Sequence, residues 1–479
     1  MTKEKLIVAL DVGTSGCRAC AVRKDGTPVA SYQVSLTPNR PREGTSQYEA
    51  SDILRSATTA LNSVLDKIGP QQAATLAVCS QRSTVVLWNK NSGAAAGPVL
   101  TWEDGRAYPQ AEAAPISQEE VHALTGLYKT PFFSAPKIAW SLKNFPQATA
   151  WLKQKCLCAA PVASYLIWHL TKGKIFAADY SLAQRTLLFD IHQLSWSDPL
   201  CNAFGIPKDI LPAVQPSAGN YGVYTYQGVD IPISVCVGDQ QAAAAYFTLK
   251  PQQSLINYGT GAFWLYHAGA APVLLPGMLT SVSAGETPQK TDYYLEGPVN
   301  SAASALMWLK AQGICFEDNE TDLLCQASQN PLLFLPAFGG LGAPYWDFSL
   351  TPAVKGLSPH TSKPDWVAGV VRGIAFLLTD IAAYLRQNGL SLQGVRASGG
   401  LTHVTYLTRF QADLLQLPLE ISNQAEATLL GACYLAAGRL YTGCVFTHDY
   451  TPVSPSITNE QAQALHRAWQ EFVSEVRKR

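Results

Sequence analysis

The sequence has no surplus charge of either sign. In 479 residues, 35 lysines and arginines balance 35 aspartates and glutamates, and no basic run stands out. That disfavours a polyanion such as nucleic acid as partner. No window holds about 18 uninterrupted apolar residues, so no membrane span is expected. The apolar run near the start is too short for a secretory leader and is broken by Asp11, so a cytoplasmic location is expected. Neither G-x-x-x-x-G-K-[ST] nor G-x-G-x-x-G occurs. A P-loop and a dinucleotide fingerprint are both excluded. The 11 cysteines are odd in number, and Cys17-x-x-Cys20 has no second pair at metal-ligand spacing. Buried reduced thiols are expected rather than a disulfide framework or a zinc site.

What is present is an ordinary globular composition, 47% apolar and 15% charged, in a chain long enough for about two to three domains. The most informative stretch is 237–263. It sets Asp239 between Gly238 and the pair Gln240-Gln241, and about twenty residues later it holds Gly259-Thr260-Gly261. A carboxylate leaving a strand suits proton abstraction from an alcohol. A glycine-bracketed hydroxyl suits close backbone approach to a phosphate, because glycine keeps no side chain in the way. Each motif alone reads more readily as a plain turn. Together they point to phosphoryl transfer onto a hydroxyl.

Taken in order, the chain opens with strands over 6–10, 17–22 and 29–36. The first ends on Asp11 and turns through Gly13-Thr14-Ser15-Gly16. That hairpin offers N–H groups and hydroxyls to a phosphate, and Asp11 can hold hydrated Mg²⁺. A helix over 51–68 capped by Ser51 follows, then strands over 75–80 and 84–88. Three strands, a helix and a strand make a ribonuclease-H-like α/β unit. Trp102, beside Asp104 and Arg106, suits stacking on a small ligand, although a rim aromatic with a solvated ion pair reads equally well. The stretch 179–189 reads as a loop with Arg185 as its cation. The second half repeats the theme, with a strand over 254–258 entering Gly259-Thr260-Gly261. Further strands cover 293–296 and 395–398, the latter opening into Gly399-Gly400. Helices are expected over 297–310, 364–389, 404–415 and 427–437, with a surface helix over 459–479. The predicted fold is α/β, with two ribonuclease-H-like domains, 1–248 and 249–479, flanking a central cleft.

These motifs, in this order, resemble the FGGY carbohydrate kinases of the actin-like ATPase superfamily, and among them most closely the glycerol kinases. The resemblance spans nearly the whole chain. It rests on Asp11-Val12-Gly13-Thr14-Ser15 with Arg18, Trp102-Glu103-Asp104 with Arg106, and Phe132-Phe133-Ser134-Ala135 with Lys137. It continues through Gly238-Asp239-Gln240-Gln241, Tyr258-Gly259-Thr260-Gly261, Gly340-Leu341-Gly342-Ala343-Pro344-Tyr345-Trp346 and Gly399-Gly400. It implies ATP and Mg²⁺ as cofactors and Asp239 as the general base. Asp11 and Asp239 would hold Mg²⁺. Thr14, Ser15 and Arg18 would contact the transferring phosphoryl group, and Gly259, Thr260 and Gly261 the remaining phosphates. Gly297, Ser301, Gly399, Gly400 and His403 would surround the nucleotide. Arg82, Ser83, Trp102, Phe132, Gln240 and Phe263 would line the acceptor pocket with Asp239. The family also implies assembly as a homodimer or homotetramer.

The chain departs from the glycerol kinase pattern at Ser83, where that pattern has Glu, and at Phe132, where it has Tyr. Each lost polar contact would weaken glycerol binding by about 1.5–3 kcal/mol. Val404 and Arg372 depart from the usual Asn and Glu on the nucleotide side. The acceptor is therefore open between glycerol and a ketopentose such as D-ribulose. A catalytically silent family member is a competing reading, as is an actin-like or chaperone-like ATPase. Retention of Asp11, Thr14, Arg18, Asp239 and Thr260 argues against the first, and the residues of a small-ligand pocket argue against the second.

Overall fold

The run Leu6-Ile7-Val8-Ala9-Leu10 has no polar side chain to expose, and it lies inside a sheet covered on both faces. A computed structural model describes residues 4–441 and 446–478, so Cys444 lies outside the described residues. The first sheet has six strands in the order Val223–Tyr226, Val229–Gly238, Ala73–Ser80, Leu6–Val12, Gly16–Val22, Pro28–Ser35. Leu6–Val12 pairs antiparallel with Gly16–Val22 and parallel with Ala73–Ser80, which in turn pairs parallel with Val229–Gly238.

The second sheet repeats this connectivity. Its order is Leu279–Val282, Tyr293–Val299, Ala262–Gly269, Gln253–Tyr258, Gly394–Ser398, Leu419–Ser422, Tyr450–Val453. Gln253–Tyr258 pairs antiparallel with the next strand in sequence and parallel with Gly394–Ser398, which pairs parallel with Leu419–Ser422. Three antiparallel strands followed by two parallel strands are thus built twice, with Leu279–Val282 inserted at the edge before the third strand of the second half, and both first strands turn through a glycine hairpin.

Alternation along Leu6–Val12 decides what covers each face. Leu6, Val8, Leu10 and Val12 share a core with the helix Ala50–Ile68, whose stripe is Ile53, Ala57, Leu61, Val64 and Leu65. Glu49, not Ser51, occupies its N-cap. Ile7 and Ala9 face a different core, which includes the helix Ala427–Leu440 from the far end of the chain. That helix also crosses Asp239–Tyr246 backbone to backbone, since a Cβ at Gly431 would lie 1.7 Å from the Ala242 carbonyl oxygen. Small residues at 427–437 serve this approach. Cys17 and Cys20 fall in the two different cores, on opposite faces of the sheet, so they form no local pair. Cys20 Sγ lies instead 3.9 Å from Cys433 Sγ, and the ten described cysteines are all free.

Several expectations need correction. Residues 179–189 do not form a simple loop. Ala177–Asp179 is a strand and Tyr180–Gln184 a helix, with Asp179 accepting from the Ser181 and Leu182 N–H groups as its N-cap. The helix expected from residue 297 starts later, at Ala303, because the strand Tyr293–Val299 runs through Gly297. The terminal helix Asn459–Arg477 is not a pure surface element, because Trp469, Phe472 and Val473 are buried. Trp469 stacks on Phe376 and donates its indole N–H to Asp380 of Lys363–Gln387. Lys363–Gln387 is long and apolar enough to cross a membrane by length and composition, but 83% of its most apolar window is buried within the protein.

Candidate active site

The site collects at the ends of the first sheet's central strands. Val229–Gly238 ends on the glycine that N-caps Asp239–Tyr246, so Asp239 enters as the first helical residue. Its carboxyl accepts from the Gln240 N–H at 2.8 Å and lies 3.6 Å from the Arg82 Nε. The Gly238 N–H donates to Ser181 Oγ, which itself donates to buried Asp179. The helix Tyr180–Gln184 thereby fixes the turn that carries Asp239. Burial raises the Asp239 pKa, and Arg82, the Gln240 N–H and Arg185 pull it back.

Asp11 is the penultimate residue of the Leu6–Val12 strand, which is separated from Val229–Gly238 by Ala73–Ser80, and it is paired across the sheet with Arg18. Burial and the facing Asp239 carboxylate push its pKa up to about 7. Two carboxylates crowded in this way gain from a shared cation. An oxygen-only pair fits Mg²⁺, which keeps several waters and takes further ligands from phosphates. Among the described residues no group of three or more His, Cys, Asp or Glu forms a closed metal cage.

The first hairpin is held in shape by its own backbone, with the Gly13 N–H donating to the Gly16 carbonyl at 3.0 Å. Thr14 Oγ1 accepts from the Trp102 indole at 2.9 Å and donates to Gln81. Trp102 is therefore tied to the first hairpin through its indole, and 43% of it is exposed. Phe132 is 48% exposed just ahead of the helix Ser134–Asn144. Ser15 is also exposed. Arg18 is engaged by Glu426, at the start of Ala427–Leu440, at 2.8 Å. A phosphoryl group would compete with that carboxylate.

Ser83 sits in the left-handed region at φ 65°. Its carbonyl accepts from Ser134 Oγ and from Lys137 Nζ at 3.0 Å, and Lys137 also donates to the Thr101 carbonyl. Burial drives the Lys137 pKa down to about 7, against a raising effect of Asp104. This ammonium braces the backbone on which Ser83 and Trp102 stand.

On the second sheet, Gly259 and Thr260 are exposed, and the Gly259 N–H donates to the Gly261 carbonyl at 2.8 Å. The Thr260 carbonyl accepts from the Ala302 and Ser304 N–H groups, so the start of Ala303–Ala311 braces the hairpin. Gly261 has no room for a side chain, since a Cβ would lie 2.7 Å from the Val299 carbonyl. Phe263 stands opposite Asn257 on the next strand. Gly399 has φ 98°, and its Cβ would lie 2.3 Å from the Tyr258 carbonyl. Gly400 opens onto free space and His403 is exposed.

Two residues expected around the nucleotide are buried. Gly297 is packed inside the sheet, where a Cβ would meet Ile381 and Met278 side chains. Ser301 is buried and spends its hydroxyl on the Phe338 carbonyl. The neighbour of Gly297, Glu296, was not anticipated. Its carboxyl is 3% exposed and binds Arg82 Nη1 at 2.8 Å through one oxygen and Arg185 Nη2 through the other. Burial alone would raise its pKa, but Arg185 and Arg82 prevail and hold it at about 2. The available signal was one charged residue in an otherwise uncharged strand.

A ribonuclease-H-like fold built twice, with a glycine hairpin on each half and paired carboxylates at the strand ends, defines a kinase of the sugar and polyol class, a phosphotransferase. The chain belongs to the FGGY family of carbohydrate kinases, whose N-terminal domain matches residues 6–245 and whose C-terminal domain matches residues 254–439. It is 33% identical to a glycerol kinase of Halorhodospira halophila over 98% of this chain and 96% of that protein. The crystal structure of Plasmodium falciparum glycerol kinase with ADP superposes with a TM-score of 0.93 at 24% identity, covering 99% of this chain and 98% of that one. A xylulose kinase from Rhodospirillum rubrum superposes with a TM-score of 0.89 at 20% identity, covering 99% of each chain.

Proposed function

We propose that the protein transfers the γ-phosphate of ATP to a terminal hydroxyl of a small neutral polyol or ketose. The observation that carries this reading is the Asp239 carboxyl, partly open and beside Arg82. Asp239 takes the proton of the attacking hydroxyl as the bond to phosphorus forms. Arg82, Gln240 and Trp102 orient the acceptor, with Ser83, Phe132 and Phe263 shaping the rest of its pocket. The Thr14 and Thr260 hairpins grip the phosphates, and Gly399, Gly400 and His403 lie on the nucleotide side. Mg²⁺, held by Asp11 and Asp239, would offset charge on the phosphate oxygens. The working units are 1–248 and 249–479, in a reducing, cytoplasmic setting and in a homodimer or homotetramer.

Charge pairing supports a neutral acceptor over a sugar acid. Arg82 and Arg185 share Glu296, Arg106 pairs with Asp104, and Lys137 is turned to two carbonyls. An anionic acceptor would find no spare cation in this set. Glycerol is the nearest named acceptor, from the curated relative. The short Ser83 and the open rim at Trp102 and Phe132 favour a longer ketose such as D-ribulose as the second reading.

The test is coupled ADP release over glycerol, erythritol, ribitol, D-ribulose, D-xylulose and a sugar acid. At least one neutral compound should stimulate turnover. Asp239→Asn should cut the stimulated kcat by about 10²-fold or more while acceptor binding persists. ATP hydrolysis indifferent to every acceptor, or near-normal activity of Asp239→Asn, would overturn the reading.

A further inference from the structure

Glu296 stands on the second sheet, yet both of its partners belong to the first half. Arg82 follows the strand Ala73–Ser80 and Arg185 follows the helix Tyr180–Gln184. The carboxylate is divided, one oxygen to each guanidinium. Neighbouring contacts lock the same seam. Arg185 also donates to Ser281 Oγ, and Gln184 donates to the Thr280 carbonyl and accepts from the Val282 N–H.

Two buried guanidiniums repel each other, and one carboxylate between them leaves a net positive charge. Asp239 supplies the second negative charge, 3.6 Å from the Arg82 Nε. The four side chains are therefore neutral as a set. The division of contacts also has a direction. Glu296 holds one edge of the Arg82 guanidinium, at Nη1, where Gln241 Oε1 also accepts at 3.4 Å, and this hold opposes further closure of the 3.6 Å ion pair with Asp239. Without that hold, Arg82 and Asp239 would close further. The base would be occupied and the arginine withdrawn from the acceptor. Desolvated charge pairs of this kind are costly to leave half made.

We propose that Glu296 is the positioning residue of the acceptor site, a carboxylate reaching from the nucleotide half to hold Arg82 at the distance the acceptor needs. It touches neither the reacting atoms nor the nucleotide. Because it comes from the opposite half, the acceptor site is complete only when the two halves are apposed. The inference rests on the kinase reading above and adds to it a coupling between acceptor capture and the second sheet.

The experiment compares wild type, Glu296→Gln and Glu296→Asp. It uses glycerol or D-ribulose, whichever the wild type phosphorylates faster, and it also records acceptor-independent ATP hydrolysis. Glu296→Gln should lower acceptor kcat/KM by about 10²-fold, the scale of an ångström-sized misplacement. Glu296→Asp keeps the charge but is one methylene too short to span both arginines, and should lose about tenfold. In both variants the KM for ATP should stay within about threefold of wild type while the acceptor KM rises. A purely structural role would lower kcat in step with the melting temperature and leave the acceptor KM unchanged, and that result overturns the proposal. So does wild-type acceptor kinetics in either folded variant. If Glu296→Gln does not fold, Glu296→Asp decides alone. A wild type that no acceptor stimulates overturns the kinase reading and this inference with it. An active wild type with unaffected variants overturns only the inference.

Discussion

The two halves share one backbone plan and differ in where charge is placed. In the first, Asp11 stands two residues before Gly13 and pairs across the sheet with Arg18. In the second, the same place before Gly259 is Asn257, paired with Phe263. The fourth strand of the first half ends at Ser80 and continues into Gln81 and Arg82. Its counterpart ends at Ser398 and continues into Gly399 and Gly400. The strand Val229–Gly238 delivers Asp239 in the first half, whereas its counterpart Leu419–Ser422 runs into Asn423. Both halves thus present N–H groups in a tight hairpin, and at the matching strand ends the first carries Asp11, Arg82 and Asp239 where the second carries Asn257, Gly400 and Asn423. A neutral glycine cradle can admit a polyphosphate closely. A charged one can hold a cation and move a proton.

Asp11→Asn breaks this contrast by making the first hairpin resemble the second. Acceptor-stimulated kcat should fall by about 10²-fold, with a raised Mg²⁺ requirement, as titrated by coupled ADP release. The same variant has a pH signature. Asp11 sits at about 7 when folded against an ordinary value of 3.8. The folded state therefore binds that proton more tightly, and the stability gained is present at acid pH and lost as pH rises through 7. Metal-free wild type should lose on the order of 1–4 kcal/mol between pH 4 and 8 from this group, while Asp11→Asn should not. Chemical denaturation across that range checks it.

Gly399→Ala attacks the other half. With φ 98° and a carbonyl 2.3 Å from the new Cβ, it should cost about 1–3 kcal/mol of stability, read from the denaturation midpoint. Asn257→Asp sharpens the comparison from the opposite side, putting a carboxylate beside the second hairpin. It should weaken ATP binding by about tenfold in calorimetry, through like-charge repulsion. The smallest effect is expected for Ser83→Gly. It relieves the left-handed backbone at φ 65° while freeing the unfolded chain, so stability should move by under about 1 kcal/mol.

The repeated strand plan, both hairpins and Asp239 were legible in the sequence because each rests on local spacing. What escaped depends on contacts distant in sequence. The helix Tyr180–Gln184 is too short to show a stripe, and its Asp179 cap reads as a loop residue until Ser217 and Ser181 are seen bonded to it. Glu296 gains its role only from arginines more than a hundred residues away. The helix start was misplaced at Gly297, where the glycine instead admits Ile381 and Met278 side chains and the strand continues to Val299. The terminal helix looked polar in sequence, yet Trp469 anchors it on Phe376.

The division of labour between a charged and a neutral hairpin is tested most directly by amide hydrogen exchange with a non-hydrolysable ATP analogue and Mg²⁺. The account predicts new protection at both 13–16 and 259–261 when the analogue binds, with Asp11→Asn weakening the first far more than the second. Protection at only one hairpin, or an equal loss at both in Asp11→Asn, would contradict it.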